Sequence, residues 1–176
     1  MVKRTSLART DCPIARALDV FGDWWSLLII RDALLGHRRF GEFQKSLGLA
    51  KNILTVRLRA LVDQGLLEMA PASDGSAYQE YVLTAKGRGI FPVLVALRQW
   101  SEEFDAHPEE IATLLVDRDS GRPVKKLELH ASDGRLLGAG ATMLKPRAKP
   151  SLRANGRAKG APVGRLREAI RSPRAR

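Results

Sequence analysis

Between Lys51 and Gln64 the residues sort at helical spacing into two opposed sets. Leu54, Leu58, Leu61 and Val62 fall on one face, and Asn52, Thr55, Val56 and Arg59 on the other. The second set has a definite chemical repertoire. A short amide and a hydroxyl match the donors and acceptors on base edges, and a branched apolar group matches a thymine methyl. Lys51 and Arg59 add the cations that a duplex with one phosphate charge per roughly 1.7 Å of axis requires. Arg57 projects between the faces, in reach of a phosphate or of a following strand. Arg38 and Arg39 precede a shorter helical run, placed either to pin phosphates or to pair with Asp32 or Glu42. All eight polar-face and arginine-pair residues are candidate contacts to double-stranded DNA. A merely solvated helix face is the competing reading of the same pattern.

Other reactive groups are sparse. Cys12 is the single cysteine, which excludes an intrachain disulfide and a cysteine-rich zinc site but not a bridge between two subunits. It lies just before a predicted helix start, near Arg9 and Arg16, a setting that favours thiolate and so a redox sensor. An inert, packed thiol is the alternative. His37, His107 and His130 are scattered without ligand spacing, so neither a metal nor another cofactor is expected. A Cys12–His37 nucleophile pair would lack an orienting group and an oxyanion loop, and no enzyme is expected.

The elements that position the polar face follow from punctuation. Pro13–Val20 suits a short helix. Asp23 is a plausible N-cap for Trp24–Leu35, a run apolar nearly all round and therefore expected to be buried. Gly36 ends it. A second helix, Gly41–Leu47, is separated by Gly48-Leu49-Ala50 from the helix that starts at Lys51 and stops at Gly65. Two helices across a three-residue break make a helix-turn-helix candidate. Leu66–Ala70 and Tyr78–Leu83 then read as strands around a Ser73-Asp74-Gly75 turn, a hairpin wing. A long last helix is expected from Ala85 to about Asp105. Its stripe of Ile90, Val93, Leu94, Leu97 and Trp100 exceeds what one small domain needs, and implies a partner chain. Phe21, Trp24, Trp100 and Phe104 form either a solid seam between subunits or the lining of a small-molecule pocket.

Three regions result: a winged helix over residues 1–106, a β-rich extension over 107–144, and a basic low-complexity tail over 145–176. Short strands are expected at Thr113–Val116, Val124–His130 and Leu136–Met143. The tail has too little apolar material to fold alone. The fold class is α+β. The formal charge is +11, but the first region carries +2, the second (to residue 140) −1, and residues 141–176 carry +10. Basicity therefore says little about the folded part. The tail is either an arm adding sequence-independent DNA affinity or a solubilising terminus. No apolar run suggests a secretory signal or a membrane span, so a cytoplasmic location is expected.

Several short motifs occur together in this chain: Cys12-Pro13, Gly22-Asp23 with Trp25, Arg38-Arg39-Phe40, Arg57-Leu58-Arg59-Ala60-Leu61 with Gly65-Leu66-Leu67, and Leu83-Thr84-Ala85-Lys86-Gly87. Their order and spacing over about 90 residues resemble the HxlR-type winged helix-turn-helix regulators, relatives of the MarR group. The resemblance implies a homodimer joined through the first and last helices of the domain, a palindromic operator, and repression or activation near it. It also implies a thiol-sensing role for the Cys-Pro cysteine in some members. Two departures stand out. Ala50 replaces the usual Ser or Thr before the recognition helix, and Ala70–Ala77 has no Arg or Lys for the wing. The resulting expectation is a homodimeric DNA-binding regulator, a repressor, open to a redox or small-molecule signal. Its rivals are a general nucleic-acid binder driven by the tail, and a protein-interaction module that no longer reads DNA.

Overall fold

The computed structural model describes residues 6–105, 109 and 113–146. In chain order the first unit contains α1 (Pro13–Phe21), α2 (Trp24–Leu34), α3 (Phe40–Leu47), α4 (Lys51–Asp63), β1 (Leu67–Pro71), β2 (Gln79–Leu83), α5 (Ala85–Arg88) and α6 (Phe91–Phe104). The chain divides into two compact units after Leu129.

Each helix boundary has a local cause. Asp23 caps α2, its Oδ1 accepting the Ser26 N–H at 3.1 Å. Gly48 takes the left-handed conformation (φ 63°) that lets α3 end and α4 begin within three residues. The core lies where α2, α3, α4 and the hairpin meet. Ile29 and Ile30 of α2, Phe43 of α3, and Leu54 and Leu58 of α4 are fully buried there. Burial of α2 is narrower than its apolar sequence suggests, because Trp24 and the following Leu35 are more than two-thirds exposed at its ends.

β1 and β2 pair antiparallel, with Leu67 opposite Leu83 and Pro71 opposite Gln79. The Tyr81 N–H also donates to the Arg38 carbonyl at 2.8 Å, which ties the segment before α3 to β2. Glu80 of β2 is buried, whereas Tyr78, just before the strand, is exposed.

The expected long helix from Ala85 is instead two helices. Pro92 has no N–H to offer the Arg88 carbonyl, so the α-helical ladder cannot continue through it. Ile90 and Val93 make tighter bonds there, to the carbonyls of Gly87 and Ile90. α5 is held by Thr84, whose hydroxyl accepts the Gly87 N–H at 3.1 Å and donates to the Gly65 carbonyl at 2.7 Å. Thr84→Ala removes both bonds, and is expected to cost about 1–2 kcal/mol of unfolding free energy. Chemical denaturation should show this as a lower midpoint at unchanged slope.

After residue 112 the expected strands are reduced to turns. Val116 and Pro123 form an isolated antiparallel bridge, with the Val124 N–H donating to the Leu115 carbonyl at 2.9 Å. This segment is tied to α6: Gln99 Oε1 accepts the Leu127 N–H at 2.8 Å, and Lys126 pairs with Glu103. Asp117 and Ser120 close the turn, and the few alternating residues leave no ladder long enough for a sheet. In the second unit His130 and Leu136 bridge around Ser132-Asp133-Gly134, and a single 3-10 turn spans Ala139–Ala141. Most of the basic tail, residues 147–176, lies outside the described residues, as does His107.

Candidate nucleic-acid interface

The two faces of α4 separate as their spacing predicts. Leu54, Leu58 and Leu61 anchor the helix in the core, and Lys51, Asn52, Thr55, Val56 and Arg59 are all exposed. Among the described residues, Lys51 and Arg59 have no ion pair, which leaves both cations available. Thr55 Oγ1 donates to the Lys51 carbonyl at 2.8 Å, so its proton is committed and its lone pairs face outward. No side chain caps the N-terminus of α4 at Ala50. Its first backbone N–H groups thus keep their capacity to bind an anion.

Arg57 stands apart from this group. Its guanidinium pairs with Asp23, the same carboxylate that caps α2. It therefore braces α4 against the start of α2, and not the wing. Sequence reasoning left Asp23 out of Arg57's possible partners because the two lie 34 positions apart and only the fold brings them together.

Arg38 and Arg39 also take partners other than the expected Asp32 and Glu42 side chains. The buried carboxylate of Glu80 lies 3.5 Å from Arg38 Nη1 and 3.7 Å from Arg39 Nε. Arg39 additionally pairs with Asp74 at the wing turn, and its guanidinium sits 5.8 Å from the centre of the Tyr78 ring. The cause is the pairing of β2 with the segment before α3, which brings Glu80 beneath the arginine pair. A lone carboxylate within the strand was the available signal. Asp32 is instead buried beside Arg31 (2.7 Å) and His37 (3.7 Å).

Glu42 performs a different task. Its Oε2 accepts the backbone N–H groups of Arg38 (2.7 Å) and Arg39 (2.8 Å), tying the entry of α3 to its first turn. Those bonds, Arg38's first, hold its carboxyl below the ordinary range. A depressed folded-state pKa contributes stability that is complete above the unfolded-state value of about 4.3 and is lost as pH falls through the lower folded value. Carboxyl-detected NMR of the native protein should therefore show Glu42 titrating below the free glutamate value of about 4.3. Replacing Glu42 with Gln should remove that part of the acid dependence.

The remaining candidates lie elsewhere. Cys12 is exposed at the N-cap of α1 and makes no side-chain cap bond there. Phe21 is half-buried against the core, while Trp24, Trp100 and Phe104 are exposed. The Trp100 and Phe104 rings lie 6.1 Å apart at 42°. Among the described residues no helix is long and apolar enough to cross a membrane.

The geometry can be set beside that of known proteins. A regulator of Mycobacterium tuberculosis named as HTH-type is 43% identical over 96 residues, which are 54% of this chain and 61% of that one. The chain thus spans about three-fifths of the mycobacterial relative. An HTH-type regulator of Synechocystis is 35% identical over 94 residues, 53% of this chain and 70% of that one. Among solved structures, one described as a candidate transcription factor is 55% identical with a TM-score of 0.76, covering 81% of this chain and 100% of that one. A candidate transcription factor from Pseudomonas aeruginosa is 44% identical with a TM-score of 0.55, covering 80% and 96%. The pattern of the HxlR-like helix-turn-helix family matches residues 20–109, just over half of the chain. With its α3–α4 pair, two-stranded wing and outward polar helix face, this chain belongs to the HxlR-like helix-turn-helix family.

Proposed function

We propose that the chain acts as a homodimeric repressor that reads an inverted-repeat operator through α4. The observation carrying this reading is the outward face of α4. Its leucines are buried while Lys51, Asn52, Thr55, Val56 and Arg59 all reach solvent. With its proton donated to Lys51, Thr55 would accept from adenine N6 or cytosine N4. Asn52 offers both a donor and an acceptor, Val56 a methyl contact, and Lys51 and Arg59 phosphate or guanine contacts. Arg39 compensates for a wing without cations of its own. Its pair with Asp74 is solvent-exposed and worth little, so a phosphate can replace the carboxylate.

The dimer is supported by two apolar faces. Val93, Leu97, Trp100 and Phe104 form an exposed stripe at helical spacing along α6, and Ile14 and Leu18 are exposed on α1. A second copy would cover them and set two α4 helices on successive major grooves about 34 Å apart. Enrichment of sites from genomic DNA by the full chain tests the proposal. A palindrome with half-sites one turn apart is the expected result. Binding without a motif would favour a charge-driven role for the tail, and no binding would favour a protein-interaction module. Cys12 adds an oxidisable group at the start of α1. An oxidant response equal in wild type and Cys12→Ser would remove redox sensing from the proposal.

A further inference from the structure

A second region of the first unit concentrates charge without using it in the α4 surface. A cleft of about 310 Å³ opens between the end of α2, the His37–Arg38 link, β2 and α5. Its apolar wall includes Leu34, Tyr81 and Leu83, and its polar side consists of His37, Arg38, Arg88 and Arg118. Among the described lining residues there is no carboxylate. Arg88 donates to the Leu83 carbonyl, a neutral partner that leaves its charge uncompensated. Arg118 has no partner among the described residues. Arg38 reaches Glu80 only at 3.5 Å. Behind His37 lies Asp32, whose charge is already met by Arg31.

We propose that this cleft binds a small amphipathic organic carboxylate. Guanidinium groups match a carboxylate in planar two-bond geometry, and a concave cluster of one sign concentrates the field on an anion. The apolar wall asks for a hydrocarbon body as well, which inorganic phosphate cannot supply. The volume is at the lower end for ligand pockets, suited to a molecule of one ring or a short chain. The regulatory consequence rests on the DNA-reading proposal, whereas the binding does not. An anion that draws Arg38 toward the cleft loosens its contact with Glu80. That contact joins the α3 entry to β2, so the wing would shift relative to α4.

Calorimetric titration of the full chain, without DNA, tests binding directly. Benzoate, phenylacetate and octanoate are the probes, with benzyl alcohol and inorganic phosphate as comparisons. At least one carboxylate should bind, and Arg118→Gln should weaken it about tenfold or more, the scale of one charge-assisted hydrogen bond. Arg118→Gln should leave the melting temperature and the ligand-free DNA affinity unchanged. Absence of heat with every carboxylate overturns the proposal, as does equal affinity in Arg118→Gln. Benzyl alcohol binding as tightly as benzoate overturns the role of charge, and phosphate binding as tightly overturns the organic ligand. Failure of the DNA reading would appear only in the site-enrichment assay, so the two are separable.

Discussion

Arg59→Ala is expected to weaken binding to the enriched DNA site by about 2–6 kcal/mol. The range follows from about 1–3 kcal/mol for a single charged contact, present twice in the proposed two-fold complex. Arg59 lies on the solvent face of α4 without an ion pair among the described residues, so folding stability should change by less than about 0.5 kcal/mol. Fluorescence anisotropy on a panel of single-base operator variants separates two versions of this effect. Loss of discrimination at one base position would make Arg59 a base reader. A uniform loss with a shallower salt slope would make it a phosphate contact. Unchanged affinity would remove α4 from the interface and with it the proposed function. Arg57→Ala is a useful contrast. Its guanidinium is engaged with Asp23, so its removal should lower stability first and DNA affinity only as a consequence.

The second large effect concerns Gly87. A Cβ at this position would sit 2.1 Å from the Leu66 carbonyl oxygen and 2.8 Å from Leu83 Cδ2. The first of these atoms is backbone and cannot rotate away, so the segment entering β1 or α5 must move. Gly87→Ala should therefore destabilise the protein by about 3 kcal/mol, the upper end for overpacking, although alanine is the better helix former. A thermal melt showing a loss of several degrees would agree. A gain in stability would mean that α5 does not lie against the Leu66 carbonyl as described. The same contact explains the Thr84-Ala85-Lys86-Gly87 run in one argument. Thr84 ties α5 to Gly65, Lys86 Nζ reaches the Gln64 carbonyl at 2.6 Å, and Gly87 permits the close approach.

Much of the first hundred residues was legible in the amino-acid sequence because the relevant signals are local. Asp23 capping α2, the Gly48 break and the Gly75 turn each act within a few residues of the chain. The burial of Leu54, Leu58 and Leu61 follows from helical periodicity alone, and so does the exposure of Asn52, Thr55 and Arg59. The break between α5 and α6 was also encoded locally, in Pro92, but the apolar stripe on either side reads as continuous. In the extension the described residues form two isolated bridges in place of longer strands, because alternation in sequence resembles a strand whether or not a partner strand is at hand.

Residue types and their periods were sufficient to determine the family architecture and the helix face turned toward a possible duplex. Only the tertiary structure decided how the charged residues are distributed. It withdrew Arg57 to Asp23, placed buried Glu80 beneath Arg38 and Arg39, and gathered His37, Arg88 and Arg118 around one cleft. The physical reason is range. Helix faces and caps are set by neighbours within about one turn, whereas an ion pair depends on which distant segments packing brings within about 4 Å.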